Sequence, residues 1–464
     1  MTKPPCGPIA HVEPRSRKFL ARSLNRLERL VSHFGAEMDV HGGRAALRST
    51  RVLVESFVRS RCSWASQQVA ATLAHTRNQV RAMLPMPRRR GILFIGYVEA
   101  GLGLAESLRG LISAVADRHM EFGIQPFRVG VEMRIIGQFM PEKFDLKYRY
   151  DVNVIEVAAD QVPTVFKTID SRRLAAGYNV LRTYWELPKA PQEWRLMLKG
   201  LNEIWAPNEF VRDAFKTVFS GPITIIPPCV LTEEAIYPSV AEFGMEMGRF
   251  YFLFSFDFHS FYHRKNPLGV LDAFRLAFPN LNERVGLIIK STGSETHQMD
   301  MAEHLRASAE KDPRIKIIHG TMSRQTMLGL IRACDCYVSL HRAEGFGLGM
   351  AEAMSFGRAV IGTDYSGSAD FLSVETGFPV AYKLRPVKPD EYPWAEGQVW
   401  AEPNMDSAIA AFKMVFSDID ARTRKAAAGK ALVDRKYSKA AVGAAVQQRI
   451  EEISRERARE GARC

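Results

Sequence analysis

Two glutamates, Glu344 and Glu352, stand eight positions apart on either side of a glycine-rich loop in the stretch HRAEGFGLGMAEAM. A carboxylate can accept hydrogen bonds from both hydroxyls of a vicinal diol, the polar feature that riboses and pyranoses present. A single glutamate here could merely complement a helix dipole, a gain of about 0.3–1 kcal/mol. The pair, with glycines between its members, predicts a ligand that carries sugar hydroxyls.

Three cations in the same half of the chain follow segments that resemble strands. Arg264 and Lys265 come directly before Asn266 and Pro267, and a helix should begin there because Asn is a good N-cap and Pro suits the first helical turn. The free amides and the dipole of a helix N-terminus favour anions. Lys290 ends the next apolar run, VGLIIKS. We therefore predict a diphosphate site formed by these cations.

The flanking segments should place these side chains beyond the ends of strands. Cys336–His341 is a short apolar run that predicts a strand, Gly349–Gly357 is rich in helix formers, and Ala359–Asp364 predicts the next strand. Strand, glycine turn, helix and strand make half of a parallel α/β unit. Ligands of such units lie beyond the carboxyl ends of the strands, so the glycine loop is predicted to be a ligand site.

The same alternation of strands and helices extends over most of the chain. The apolar run GILFIGYV begins at Gly91 and predicts a strand that is buried on both faces. Further strands are predicted at FRVGVEM (127–133), VNVIEVA (152–158), YNVLRTYWE (178–186), EIWAPN (203–208), ITIIPP (223–228), RFYFLFSFDF (249–258), Val285–Ser291 and Ile315–His319. We predict an α/β protein in which two Rossmann-like, doubly wound domains, residues 91–235 and 236–404, face a cleft, with a helical tail at 405–464.

The positive charge of the chain is concentrated in a predicted helical extension, residues 1–90. This segment has 17 Lys and Arg against 5 Asp and Glu, which accounts for the whole net charge of +12. Two interpretations are open: a helix that lies on an anionic membrane surface, or a helical hairpin that packs on the body or mediates self-association. Nucleic acid is not expected as a partner, because few aromatic residues stand among the arginines.

Composition excludes several other classes of protein. No run of about eighteen uncharged apolar residues is present to span a bilayer, and the first residues lack the apolar stretch of a secretory signal. Six scattered cysteines fit a reduced compartment better than a disulfide framework. We expect a cytoplasmic protein, and the basic extension supports the hypothesis of peripheral attachment at the inner face of a membrane.

Several of these motifs together resemble a known family. EGFGLGMAE is similar to the E-x7-E motif of family 4 retaining glycosyltransferases, also called group 1 glycosyl transferases, which have the GT-B fold. RKNP, GLIIKS, ACDCYVSLHRAEGFGL, TDYSGSADF and GQVWAEPNMDSA resemble the C-terminal domain of that family in the same order. YWELP, EIWAPNEFVRDAF and IPPCV resemble its N-terminal domain. The resemblance covers roughly residues 91–420 and does not reach the basic extension.

The resemblance implies a role for each matching position. Arg264 and Lys265 would hold the donor's diphosphate, Glu344 the hydroxyls of the donor sugar near the reacting carbon, and Glu352 the ribose diol. The other positions implied for donor binding are Lys290, Gly345, Phe346, Gly347, Leu348, Gly101 and Gly103. Trp185 and Glu186 stand where many relatives have a histidine that faces the sugar, so they are candidates for the acceptor side.

The implied reaction moves a sugar from a nucleotide-sugar donor to a hydroxyl of a glycan or lipid-linked glycan, with retained anomeric configuration. The resemblance implies no metal and no other cofactor, because fixed cations and helix amides can stabilise the departing diphosphate. The basic extension favours a place in cell-surface polysaccharide or lipopolysaccharide synthesis. 

Four other functions are compatible with parts of the sequence. A nicotinamide oxidoreductase is disfavoured, since Gly101-x-Gly103 has Glu106 where the dinucleotide fingerprint needs its third glycine. A sugar-nucleotide epimerase or a sugar phosphorylase on the same fold, and a non-catalytic GT-B-like scaffold, stay open as alternatives. A scaffold would keep its function after the loss of both glutamates, whereas a transferase would not.

Overall fold

A computed structural model describes residues 86–130, 135–145, 147–233, 240–295 and 299–461. Two parallel sheets of six strands each organise these described residues, and residues 85–464 form one compact unit. The predicted fold class of two doubly wound α/β domains is thereby confirmed. The predicted basic extension lies outside the described residues except for its last five positions, and the predicted domain boundaries stay predictions.

The first sheet has the strand order β2-β1-β3-β4-β5-β6. Its strands are β1 Arg88–Gly96, β2 Phe122–Pro126, β3 Arg149–Glu156, β4 Tyr178–Arg182, β5 Glu203–Ala206 and β6 Ile223–Ile225. Its helices are α1 Gly103–Asp117, α2 Val162–Thr168, α3 Ser171–Ala176, α4 Trp194–Met197 and α5 Glu209–Phe215. The order reverses between β1 and β3, which is the point where doubly wound sheets bind ligands.

The second sheet has the order β12-β11-β10-β7-β8-β9. Its strands are β7 Phe250–Asp257, β8 Val285–Thr292, β9 Ile315–His319, β10 Cys336–Ser339, β11 Ala359–Thr363 and β12 Phe378–Val380. Its helices are α6 Tyr262–Lys265, α7 Pro267–Ala277, α8 Met299–Lys311, α9 Arg324–Ala333 and α10 Leu348–Ser355. Here the order reverses between β7 and β10, so a ligand should bind beyond their carboxyl ends.

The rest of the described chain is an antiparallel hairpin and three helices. The hairpin strands are β13 Tyr382–Pro386 and β14 Val399–Pro403, and the helices are α11 Met405–Ser417, α12 Ile419–Lys436 and α13 Lys439–Gly461. Short 3-10 turns lie at Pro141–Lys143, Ala159–Gln161, Val240–Phe243, Phe258–Ser260 and Ser366–Asp370. No helix of the described residues is long and apolar enough to cross a membrane.

The predicted strand at 127–133 is wrong in its described part. Residues 127–130 are not strand, and β2 lies one segment earlier at Phe122–Pro126, where Phe122 and Ile124 are buried beside β1. Residues 127–130, which include Val129, instead come directly after β2, the edge strand of the first sheet. The first strand begins at Arg88, before the apolar run, and Gly91 adopts a φ of +118° where the register of β1 against β3 shifts.

The last helix returns to the first sheet. Val442, Val446 and Ile453 of α13 belong to the same buried cluster as the core of β1. Arg449 donates its Nε and Nη2 to the two carboxylate oxygens of Glu203 on β5, at 2.9 and 3.0 Å. Because the Glu203 side chain is fully buried, this ion pair fixes α13 on the first domain.

Candidate functional site

The loops beyond β7 and β10 bring the two predicted motifs together. Asn266 joins α6 to α7 in the left-handed region at a φ of +56°, a conformation that Asn tolerates better than most residues. Its Nδ2 donates to the carbonyl of Leu340 after β10 (2.9 Å), and its Oδ1 accepts the N–H of Gly269 (3.3 Å) as the predicted N-cap of α7. One side chain therefore ties the cation motif to the glutamate motif.

Glu344 is held by both neighbouring cations. Lys265 Nζ donates to Glu344 Oε1, and Arg264 Nη1 lies 3.1 Å from Glu344 Oε2 while also donating to the carbonyl of Ala343 at 2.9 Å. Glu344 is 7% exposed. The Ser366 hydroxyl accepts the backbone N–H of Glu344 at 2.8 Å. The cluster is thus buried, charged and fixed at both backbone and side chain.

Electrostatics keep the Glu344 carboxylate ionised. Burial by itself raises the pKa of Glu344, but the charges of Lys265 and Arg264 outweigh it and lower this pKa to about 2. Burial lowers the pKa of Lys265, and Glu344 offsets part of that effect. Burial also lowers the pKa of the neighbouring His341 to about 4, so this imidazole is neutral at physiological pH. Arg264 retains its charge because Glu344 and Glu186 raise its pKa despite burial.

The glycine loop shapes the N-terminus of α10. Gly347 is the N-cap at a φ of +95°, and an added Cβ would lie 2.5 Å from Met350 Cε. Gly345 and Leu348 complete the loop, and the first N–H groups of a helix lack intrahelical partners and can bind an anion. The Phe346 ring instead packs in the core, 5.2 Å from the Phe371 ring. Only its backbone is therefore available to a ligand.

Glu352 faces a chain of charges that crosses between the two domains. Arg324 Nη2, at the start of α9, pairs with Glu352 Oε1, and Arg324 Nε lies 3.5 Å from Glu106 Oε2 on α1. Arg109 Nη2 donates to Glu106 Oε1 at 2.6 Å. The same guanidinium donates through Nη1 to the carbonyls of Val98 and Ala100, in the loop that holds Gly101. Burial raises the pKa of Glu352, and Arg324 opposes that rise.

The structure does not bring Lys290 to this cluster. Lys290 is 4% exposed, and its Nζ donates to the carbonyls of Ser291 (2.8 Å) and Gly320. Burial lowers the pKa of Lys290 to about 8. Its ammonium is therefore bound by a carbonyl of β8 and by the carbonyl of the residue after β9, and β8 lies one strand away from the switch point between β7 and β10.

The predicted residues of the first domain separate into two groups. Glu186 reaches the cluster, because its Oε1 lies 3.7 Å from Arg264 Nη2. Trp185 is 5% exposed and donates its Nε1 to the carbonyl of Lys189 at 2.9 Å, so its ring is a core element. Gly101 lies between β1 and α1 and Gly103 is the first residue of α1, where an added Cβ would meet nothing within 4 Å.

Three residues that contribute to the site were missed at the level of sequence. Asn208 caps α5 through Val211 N (3.0 Å) and donates its Nδ2 to the carbonyl of Gly345 at 2.6 Å across the two domains. Arg324 covers Glu352, and Tyr392 donates its hydroxyl to Glu186 Oε2 at 2.7 Å. Asn208 has the sequence signal of an N-cap, but nothing in the sequence indicates its second bond.

Backbone conformation also marks this region. Among the described residues, six non-glycine residues have a positive φ, and four of them lie at the site or next to it: Phe261, Asn266, Ser366 and Trp394. Such conformations cost free energy and persist where the surrounding structure fixes them, commonly at ligand sites. The two cations and the free helix amides can bind a diphosphate. The buried carboxylate between the cations can accept hydrogen bonds from the hydroxyls of a sugar attached to that diphosphate.

Comparison with known proteins agrees with this chemistry. Residues 248–381, which include Arg264, Lys265, Glu344 and Glu352, match the family model described as glycosyl transferases group 1. The resemblance seen in the sequence is thus confirmed for this segment. No curated protein matches the chain.

Solved structures show which fold the chain has. HepE from Anabaena, in complex with UDP and glucose, is 15% identical with a TM-score of 0.56 over 79% of this chain and 100% of its own. Sucrose-phosphate synthase from Thermosynechococcus elongatus is 14% identical with a TM-score of 0.59 over 79% and 100%. A glycosyltransferase from Rickettsia africae is 14% identical with a TM-score of 0.55 over 79% and 98%. At these identities the likeness shows the fold alone, which is GT-B.

The two glutamates should affect stability with opposite dependence on pH. The pKa of Glu344 is lowered to about 2 on folding, so its stabilisation is complete above pH 4.5 and is lost as the pH falls towards 2. The pKa of Glu352 is raised, so its stabilisation is complete below pH 4.5 and is lost as the pH rises. The Glu344→Gln variant should therefore be less stable than wild type at neutral pH, by about 3 kcal/mol, and the difference should shrink in acid.

Urea unfolding of both variants from neutral pH down to about pH 2, which spans the range in which the folded and unfolded carboxyl groups titrate, measures this effect. The matched variant Glu352→Gln should gain stability relative to wild type as the pH rises. Parallel pH profiles for the two variants would contradict the assigned electrostatics.

The bond across the domains can be tested separately from the helix cap. Asn208→Ser keeps an N-cap for α5 but cannot reach the carbonyl of Gly345, and we expect a loss of about 1 kcal/mol in the free energy of unfolding. Asn208→Ala removes the cap as well and should lose about 1 kcal/mol more. Urea denaturation measures both losses. A serine variant as stable as wild type would show that the bond to Gly345 contributes nothing.

Proposed function

Since its second domain matches the group 1 glycosyl transferases, we propose that this protein is a retaining glycosyltransferase. It moves a sugar from a nucleotide-sugar donor to a hydroxyl of a glycan or a lipid-linked glycan. The observation that carries this proposal is the buried cluster in which Lys265 and Arg264 hold the Glu344 carboxylate beside the N-terminus of α10. The cluster lies at the switch point of a Rossmann-like sheet, where nucleotides bind.

In the proposed donor complex, Lys265 and Arg264 bind the diphosphate together with backbone N–H groups of Gly345 to Leu348. The Glu344 carboxylate, which stays ionised, accepts hydrogen bonds from hydroxyls of the donor sugar. Glu352 accepts hydrogen bonds from the ribose hydroxyls, which replace Arg324 as its partner. Gly101 and Gly103, in the loop held by Arg109, approach the donor from the first domain.

The proposed catalytic step needs stabilisation of charge on the departing diphosphate. The bond from the anomeric carbon to the phosphate oxygen breaks and a bond to the acceptor oxygen forms on the same face, while the acceptor proton passes to the leaving diphosphate. Fixed cations and helix amides in a buried site stabilise such charge strongly, since they need no reorganisation during the reaction. We propose on this ground that Lys265, Arg264 and the α10 amides suffice without a metal ion.

Donor binding provides the direct test of this function. Calorimetric titration of the full chain with UDP-, GDP- and ADP-sugars, in buffer containing a chelator, should show binding of at least one class. Glu352→Ala should weaken that binding by about tenfold or more, because two ribose hydroxyls lose a charged acceptor worth ~1.4 kcal/mol or more. Lys265→Ala should lower the rate of sugar transfer or of donor hydrolysis by about 10²–10³.

The control is Glu375→Ala, which removes an exposed carboxylate in the same domain. It should leave nucleotide affinity and turnover as in wild type. Absence of binding by every nucleotide sugar, or wild-type affinity and turnover in both site variants, would reject the proposed function. The first outcome would favour a non-catalytic scaffold.

We also propose that residues 1–90 attach the enzyme to the inner face of a membrane, where a lipid-linked glycan in cell-surface polysaccharide or lipopolysaccharide synthesis would be its acceptor. The support is compositional, because the whole net charge of +12 belongs to this segment. The full chain should sediment with vesicles that contain anionic phospholipid and should be released by high salt, since surface attraction is screened. Equal sedimentation with neutral vesicles would contradict this attachment.

A further inference from the structure

A cavity of about 580 Å³ lies in the segment that joins β13 to β14. Its walls come from residues 386–399, and prolines at three positions, 386, 389 and 393, restrict the backbone around it. A volume of this size is in the range of small-molecule sites. Its lining combines aromatic rings with a few polar groups, chiefly Tyr392, Trp394, Glu396 and Gln398.

The Trp394 ring is presented to solvent in a fixed orientation. Trp394 has a φ of +52°, a conformation that bulky residues rarely adopt, and its side chain is 40% exposed. The ring is supported by edge contacts with Trp194, at a centroid distance of 5.3 Å, and with Trp185, at 6.0 Å. A strained backbone that holds a partly exposed tryptophan over a cavity is typical of a binding site.

A chain of polar contacts links the lining of the cavity to the cluster around Glu344. Tyr392 lines the cavity and donates its hydroxyl to Glu186 Oε2 at 2.7 Å. The other carboxylate oxygen of Glu186 lies 3.7 Å from Arg264 Nη2, and Arg264 in turn holds Glu344. Glu186 is therefore placed between the donor cluster on one side and the cavity on the other.

The polar groups of the cavity are acceptors. Gln398 is 8% exposed and donates its Nε2 to the carbonyl of Lys189 at 2.7 Å, while its Oε1 has no hydrogen-bond partner among the described residues. Glu396 adds an exposed carboxylate. That Gln398 oxygen is itself buried, so the accessible acceptor of the lining is the Glu396 carboxylate, which can accept hydrogen bonds from a ligand that carries hydroxyl groups.

We propose that this cavity binds a pyranose unit of the acceptor glycan, with the C–H face of the sugar ring on the indole of Trp394 and a hydroxyl directed to the exposed carboxylate of Glu396. The inference rests on the proposed transferase function and adds to it the segment that binds the acceptor glycan. Tyr392 and Glu186 lie between this segment and the cluster around Glu344, where the proposed donor sugar binds.

Ligand-observed saturation-transfer NMR on the full chain tests this subsite without a donor. The probes are methyl glucopyranosides, galactopyranosides and mannopyranosides of both anomers, with maltose, cellobiose and lactose. At least one probe should bind wild type, and Trp394→Ala should weaken that binding by about tenfold, equivalent to about 1.4 kcal/mol. Trp394→Phe should retain most of it, because an aromatic face is preserved.

Two further variants separate recognition from packing. Trp394→Leu keeps apolar bulk against Trp194 without an aromatic face and should bind as weakly as the alanine variant, which covers the case in which alanine impairs folding. Leu281→Ala removes another exposed apolar side chain, 54% exposed, and should bind the probes as wild type does. Nucleotide affinity should be unchanged in the Trp394 variants.

The outcomes distinguish this inference from the proposed function. Binding of no probe to wild type, or equal binding by wild type and the leucine variant, would overturn the subsite whatever the nucleotide titrations show. Probe binding that depends on Trp394, in a protein that binds no nucleotide sugar, would support the glycan subsite and reject the transferase function.

Discussion

The site depends on a buried carboxylate that two cations keep ionised. Burial of Glu344, which is 7% exposed, by itself raises its pKa, and the charges of Lys265 and Arg264 reverse that effect and favour the ionised form. The cations in turn need Glu344, because burial lowers the pKa of Lys265. This mutual dependence requires the loops after β7 and β10 to be held next to each other. Asn266 supplies that placement through its bond to the carbonyl of Leu340.

The same constraint explains why the site involves both sheets. The polar contacts that connect the domains around the site include Asn208 with Gly345, Arg324 with Glu106, Glu186 with Arg264, and Tyr392 with Glu186. Each joins a residue beyond a strand of one sheet to a loop or helix of the other. The C-terminal helix adds a separate tie, because Arg449 pairs with Glu203 on the first sheet. The polar and charged residues of the site therefore also help to fix the position of the two sheets relative to each other.

Sequence patterns could predict whatever depends on neighbours along the chain. The spacing of Glu344 and Glu352 around the glycines, and the cap at Asn266, are local signals, and these residues lie where the strand ends meet. The second bond of Asn208 depends on a residue 137 positions away, and no local pattern contains it. The prediction of a strand at Val129 was wrong, because β-branched residues also occur in the segments that follow a strand. Lys290 lies near the end of β8, yet its ammonium donates to the carbonyls of Ser291 and Gly320.

Under the proposed function, the donor enters a site whose charges are already paired. Lys265 is bound to Glu344, and Arg324 is bound to Glu352. The diphosphate must therefore compete with a protein carboxylate for its cation, and the ribose hydroxyls must replace a cation at its carboxylate. The exchange is favourable for a nucleotide sugar because one molecule carries both the anionic and the hydroxyl groups. A free diphosphate offers only the anionic groups, and a free sugar offers only the hydroxyl groups. Under the proposed function, selectivity for the linked donor therefore follows from the pairing of these cations with protein carboxylates.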